Sequence, residues 1–314
     1  GIDRTFTPTA FPLPGHPTNI NVSASVGMTI FGSMFLTIVG NCQAESLRKL
    51  LASTGHFESE RIPPVHELAQ ADMGWFGDML ARTDVLVTQP IREDYRGLPV
   101  GTAQMLAQLP SGARHAIVPV LRFDALMPFT AIIRDPADSS LNPPVVPYHD
   151  LRILCAAAQG LDAPVTPSLT PDAYRRALAM SVNQIRTREE RFDSVRISDY
   201  LETLPVWHII NHPDNETLAV VASRILQTLG LSGSVTMPEY EMLGELDAPL
   251  DPGACAALGV SVGGRDAWMH RETGEIPWEE IVDKQLAHYR DRPALVAHGL
   301  ERHADRIANL GLLA

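Results

Sequence analysis

The sequence predicts an α/β protein: an open, mainly parallel sheet with helices on both faces, followed by a helical C-terminal region. Two observations carry this. In the first part of the chain, short continuous apolar runs closed by turn residues alternate with segments of helical period, the pattern of strands buried on both faces and joined through helices. In the second part, apolar stripes recur at helical spacing instead.

Taken in order, residues 1–27 are rich in Pro, Thr, Ser and Asn, lack any period, and are read as an N-terminal tail. Residues 28–314 are expected to form a single α/β domain with a helical C-terminal part. Phe35-Leu36-Thr37-Ile38-Val39 reads as a buried parallel strand ended by Gly40. From Ala44 to Ala52 the spacing of Ala44, Leu47 and Leu51 predicts a helix, stopped by Ser53-Thr54-Gly55. A second strand is expected from Phe57 to Ile62, then a helical stretch near Met79-Leu80 and a third strand over Asp84–Thr88. Ala116–Val120 gives a fourth, which Pro119 pushes toward an edge or a strand end. Val206 to Ile210 gives a fifth.

The segment 136–148, with four prolines, reads as a surface connection or a lid. Thr170-Pro171-Asp172 supplies an N-cap, an N1 proline and an acidic first turn for a helix striped by Tyr174, Leu178, Val182 and Ile185. Pro213-Asp214-Asn215-Glu216 opens another, carrying Leu218, Val221, Ala222, Ile225, Leu226 and Leu229 and stopping at Gly230. Trp278, Ile281, Val282 and Tyr289 define a third helix, and Leu295–Leu310 a fourth.

Composition narrows the function. A net charge of −12 argues against a nucleic-acid binder, and an anionic ligand would need a local basic pocket or a helix N-terminus. The three cysteines, Cys42, Cys155 and Cys255, form neither a disulfide framework nor a CxxC pattern, so a reducing, cytoplasmic setting is expected. The apolar run from Met28 to Val39 is shorter than the roughly 20 residues that span a bilayer, and no secretory signal is read. No phosphate loop and no metal-ligand spacing occurs.

In parallel sheets ligands bind beyond the carboxyl ends of the strands, where Gly40-Asn41-Cys42, Gln89-Pro90 and Asn211-His212 all fall. Cys42 at a strand-to-helix turn is a candidate nucleophile, since a helix N-terminus lowers a thiol pKa; it could equally be a small residue packed in a tight turn. The amides of Gln43 and Ala44 would face an incoming oxyanion. His212 is the candidate base, with a helix-capping loop residue as the structural alternative. His149, next to Asp150, is held in reserve, and His208 in an apolar strand reads as a satisfied core histidine. Gln89 could donate to a bound carbonyl or only cap its strand. Arg48, Arg92 and Arg96 could pair with phosphates, although surface arginines are more often solvated. The run Arg186–Arg196, interleaved with Glu189, Glu190 and Asp193, reads as a solvated face.

Ile38-Val39-Gly40-Asn41-Cys42-Gln43, the strand from Asp84 to Gln89, and Asn211-His212-Pro213 before a helix ending Leu229-Gly230 together resemble the WcbI-type polysaccharide biosynthesis proteins. The resemblance runs from about Met34 to the C-terminus. It implies an O-acetyltransferase of bacterial capsule synthesis that uses coenzyme A, with acetyl-CoA as donor and a sugar hydroxyl as acceptor. Cys42, His212 and Gln43 would then be catalytic, and Asn41, Gln43, Arg48, Gln89, Arg92 and Arg96 would bind the cofactor. The layout also resembles the SGNH-type esterases, with Cys for Ser at the first turn and Ile209 where an aspartate would stand three residues before the histidine. A Cys–His dyad and a lone histidine base both remain open. So do a glycan acyl-esterase and a non-catalytic nucleotide-binding component of a biosynthetic complex. The partners expected are an acyl donor and a carbohydrate, without nucleic acid or a transmembrane segment, and with homo-oligomerisation left open.

Overall fold

A computed structural model describes residues 32–313; the expected tail lies outside the described residues. In chain order, β1 (Met34–Val39) leads into α1 (Cys42–Ala52), β2 (Phe57–Ser59), α2 (Met73–Ala81), β3 (Val85–Thr88), α3 (Thr102–Leu106) and β4 (Arg114–Ile117). The four strands pair in parallel in the order β2-β1-β3-β4. Alternation along the strands loads both faces. Leu36, Ile38, Val85 and Val87 pack with Leu47 and Leu51 of α1, while Val39 and Leu86 pack with Phe76, Met79 and Leu80 of α2 and Met105 of α3. A sheet with helices on both faces results, as the apolar runs predict.

The chain leaves β1 toward β2 on one side and later returns to β3 on the other. The carboxyl ends of β1 and β3 therefore flank the point where strand order reverses, with Val39 opposite Thr88. Doubly wound sheets open a crevice there.

Beyond the sheet come β5 (Thr130–Ala131), β6 (His149–Asp150), α4 (Leu151–Ala158), α5 (Pro171–Phe192), α6 (Ser198–Leu201) and α7 (Asn215–Thr228). They are followed by β7 (Leu246–Asp247), α8 (Pro252–Leu258), β8 (Trp268–His270), β9 (Gly274–Ile276), α9 (Trp278–Arg290), α10 (Pro293–Arg302) and α11 (Ala304–Asn309). α7 packs on α1 and adds Val221 and Ile225 to the larger core. It starts at Asp214, whose carboxylate accepts from Thr217 N at 3.3 Å, and ends before Gly230, whose φ of +67° suits glycine.

Several boundaries differ from expectation. β2 stops at Ser59, shortly before Pro63-Pro64, and the buried Ile62 packs in the smaller core instead. β4 starts two residues early and ends before Pro119, which has no N–H for a ladder. α1 begins at Cys42, not Ala44. Thr170 has the extended backbone of an N-cap, but its side chain makes no capping bond. The last predicted helix is two, α10 and α11, meeting at His303.

Residues 206–210 form no strand, only a bridge between Ile209 and His212. Trp207, Ile209 and Ile210 are fully buried, so the apolar run reported burial and not pairing. Its backbone groups find partners from loops: Ala248 N reaches His208 O at 2.8 Å and Phe123 N reaches Ile210 O at 2.8 Å. The Arg265 guanidinium also donates to the carbonyls of Trp207 and His208 at 3.1 Å each.

Candidate active site

The site is built from the turn after β1. Gly40 is required because a Cβ there would stand 2.6 Å from Gln89 Oε1. That close approach lets Asn41 N donate to Gln89 Oε1 at 2.9 Å. Asn41 caps α1, its Oδ1 accepting from Gln43 N at 3.0 Å. Gln89, at the end of β3, returns its Nε2 to Asn41 Oδ1 at 3.2 Å and to Gln43 Oε1 at 3.0 Å. Gln43 is wholly buried and fully bonded. Its Nε2 donates to the carbonyls of Leu121 and Asn211 at 2.8 Å each, and its Oε1 also accepts from Leu121 N at 3.0 Å. One side chain thus ties together the ends of β1 and β3, the segment after β4, and the residue before His212.

Cys42 and His212, 170 positions apart, meet across this hub with Sγ 3.6 Å from Nε2. His212 is held by a tight turn in which His208 N donates to His212 O at 3.0 Å and His212 N to Ile209 O at 3.1 Å. Burial raises the Cys42 pKa, and the amides of Cys42 and Gln43 offset this only in part. The expectation of a depressed thiol is therefore overturned, because desolvation outweighs the helix terminus. Burial lowers the His212 pKa, followed by the charge of His208; the backbone of Leu243 pulls weakly the other way. Among the described residues His212 Nδ1 nevertheless has no partner of hydrogen-bond geometry. The pair rests neutral at pH 7, and among the described residues no carboxylate completes a triad.

The expected oxyanion amides are also spent. Gln43 N is bound by the Asn41 side chain and Ala44 N by Asn41 O at 3.0 Å. Gln89 and Gln43 have no amide hydrogen directed at a ligand, since each is taken up in the hub.

Beside the pair opens a cleft of about 670 Å³ lined by residues that include Tyr95, Arg96, Arg134, Asn142, Tyr148 and Asn211. Among the described residues no Asp or Glu lines it, in a chain with 37 acidic residues. Arg96 sits at φ +55° beside Asp94 at φ +51°, in a left-handed region unusual for non-glycine residues. Such backbone recurs at ligand clamps. At the cleft's inner end the Tyr148 hydroxyl donates to Asn211 Oδ1 at 2.7 Å, and burial holds the phenol well above its ordinary pKa.

The other predicted residues lie elsewhere or act differently. Arg48 is committed to Glu45 at 2.7 Å and Ser59 at 3.0 Å, and Arg92 lies over the Tyr95 ring outside the cleft lining. His149 is buried between Tyr289 Oη at 2.6 Å and Ile133 O at 3.1 Å, and Asp150 caps α4 and pairs with Arg152; the reserve pair is structural. His208 is half-buried rather than a core residue. Burial pushes its pKa down, but Asp247 at 2.6 Å and Glu241 at 2.9 Å prevail and raise it. Cys155 is buried, with its thiol pushed up to about 11, and Cys255 lies within α8. Sequence reasoning assigned no role to Arg134 or Tyr148, which lie in irregular segments with no periodic signal. Among the described residues no cluster could hold a metal ion, and no helix is long and apolar enough to cross a membrane.

Fold and site together define a class: a doubly wound α/β protein with a cysteine–histidine pair at its topological switch point. The chain belongs to the WcbI family of polysaccharide biosynthesis enzymes, whose family model matches residues 35–234. A solved WcbI structure aligns with a TM-score of 0.72 at 17% identity, covering 90% of this chain and 99% of that one. It is described as the native protein without a disulfide bond between coenzyme A and one of its cysteines. At that identity the likeness speaks to the fold. No protein of curated function matches the chain significantly.

Proposed function

We propose that this protein is a coenzyme A-dependent O-acetyltransferase that moves an acetyl group from acetyl-CoA to a sugar hydroxyl of a polysaccharide precursor. The carrying observation is the Cys42–His212 contact at 3.6 Å beside a cleft that, among the described residues, no carboxylate lines. Arg96 and Arg134 suit the phosphates of the donor there, and the coenzyme A named with the WcbI structure fits the same donor.

The neutral pair suits a stepwise transfer. Cys42 Sγ attacks the thioester carbonyl while its proton passes to His212 Nε2; the new S–C bond forms as the bond to the coenzyme A sulfur breaks. His212 returns the proton to that sulfur. The sugar hydroxyl then attacks the acetyl-Cys42 carbonyl, giving its proton to His212, which passes it back to Cys42 as Sγ leaves. Gln43 and Gln89 position the pair through the hub, where every hydrogen of their amides is taken up, and Asn41 does so through its Oδ1.

Acetyl-CoA thiol release and acetylation of Cys42, followed by intact-protein mass spectrometry, test this reading. Cys42→Ala should abolish both, and His212→Ala should slow them by at least ~10²-fold, the usual loss with a general base. The high thiol pKa favours one rival, direct attack by a sugar hydroxyl deprotonated by His212. Retained transfer in Cys42→Ala with loss in His212→Ala would establish that route. Acetyl release from a glycan without coenzyme A would mark an esterase, and binding without turnover a non-catalytic component.

A further inference from the structure

Attack on a thioester carbonyl places negative charge on its oxygen, and a preorganised donor at that oxygen is a large part of acyl-transfer catalysis. In this protein the backbone amides of Gln43 and Ala44 are already engaged by Asn41, and the side-chain amides of Gln43 and Gln89 are engaged by one another and by neighbouring carbonyls.

Asn211 differs from all of these. Its backbone carbonyl is held by Gln43 Nε2 at 2.8 Å, which fixes it to the residue following Cys42, and it directly precedes His212 in the chain. Its side-chain oxygen accepts from the Tyr148 hydroxyl at 2.7 Å. A carboxamide whose oxygen is engaged in this way presents its nitrogen on the other side. Among the described residues Nδ2 meets no acceptor, and it is not one of the buried atoms left without a partner. It is therefore open to the cleft that Asn211 and Tyr148 line.

We infer that Asn211 Nδ2 is the side-chain donor that stabilises the oxyanion, with Tyr148 as a positioning residue that fixes the orientation of the amide. This rests on the acyl-transfer reading above. As Sγ bonds to the carbonyl carbon, the π pair moves onto oxygen and an Nδ2–H donates to it. When the carbonyl re-forms, the pair returns and the coenzyme A sulfur leaves with the proton from His212. Tyr148 keeps its phenolic proton at any working pH, so the bond that sets the amide persists through the cycle.

The test uses the full chain with acetyl-CoA, following the single turnover of thiol release and Cys42 acetylation, so that kcat and KM are the maximal rate and the half-saturating acetyl-CoA of that turnover, with coenzyme A affinity by calorimetry. Asn211→Ala should lower kcat by ~10²–10³-fold, the range for losing one oxyanion donor, with KM for acetyl-CoA and the coenzyme A Kd within about threefold of wild type. Asn211→Asp keeps an acceptor for Tyr148 but loses the donor. It should show the same kcat defect and decides the matter if the alanine variant melts far below wild type. Tyr148→Phe should lower kcat about tenfold at unchanged KM. Wild-type kcat in both Asn211 variants overturns this inference alone, as does a loss of rate matched by an equal loss of coenzyme A binding. Wild-type protein that binds coenzyme A yet never releases its thiol from acetyl-CoA overturns the acyl-transfer reading and this inference with it.

Discussion

At Cys42 two influences oppose each other. The start of α1 offers amide dipoles that favour a thiolate, and burial under the hub removes the water a thiolate needs. Burial prevails, and His212, itself pushed toward neutrality, provides no positive charge to reverse it. A pH profile of iodoacetamide alkylation checks this. The folded-state thiol binds its proton more tightly than a free one, so the rate at Cys42 should keep climbing through and beyond the free-thiol pKa of about 8.5. His212→Ala should change the rate at pH 7 by less than about threefold, because a neutral imidazole stabilises no thiolate. A plateau reached near pH 7 and lost in His212→Ala would reveal a thiolate–imidazolium pair instead.

Elements are joined here by single buried polar side chains, and Glu189 of α5 is the clearest. Read from sequence as part of a solvated charged face, it is only 2% exposed. Its carboxylate accepts from Ile197 N at 2.7 Å, Ser198 N at 2.8 Å and Ser198 Oγ at 2.7 Å, seating the start of α6 against α5. Glu189→Ala leaves three donors unpaired and should cost about 3 kcal/mol, since bonds to charged groups contribute ~1.5–3 kcal/mol each and water can replace some. Urea unfolding reads this directly; a loss under about 0.5 kcal/mol would mean that water substitutes fully. The same chain shows why legibility was uneven. β1, β3 and α7 were readable because an unbroken apolar run or stripe meets a local stop such as Gly40 or Gly230. The run 206–210 looked identical to a strand, yet its partners are Ala248, Phe123 and Arg265, which no local pattern could supply. Within the site, Cys42 and His212 were visible as residues at element ends. Tyr148 and Arg134 were not, because loops carry no period.

Across the whole molecule, two histidines, the buried His149 and the half-buried His303, fasten the C-terminal helices to the chain behind the cleft. His149 donates through Nε2 to Ile133 O, accepts from Tyr289 of α9 at Nδ1, and stacks on that ring with centroids 5.6 Å apart. His303, at the junction of α10 and α11, reaches Ile132 O at 3.4 Å. Burial, before any charge effect, pushes both down to about 4. The unfolded chain therefore binds these protons near 6.5 while the folded protein refuses them. Stability from each neutral ring is complete above pH ~6.5 and is lost as the pH falls toward 4. For His149 the loss at pH 4.5 comes to about 2.5 kcal/mol. His149→Phe keeps a stacking ring but has no proton to bind, and it takes the His149 partner from Ile133 O and from the Tyr289 hydroxyl, which keeps only Gln285 Oε1 at 3.4 Å. It should be less stable than wild type at pH 7, yet lose about 2.5 kcal/mol less between pH 7 and pH 4.5. Urea midpoints at both pH values give the comparison, and carboxylate contributions cancel because both proteins share them. Parallel losses in the two proteins would mean that His149 already carries its proton in the folded state, and that the Tyr289–His149–Ile133 chain is held by an imidazolium.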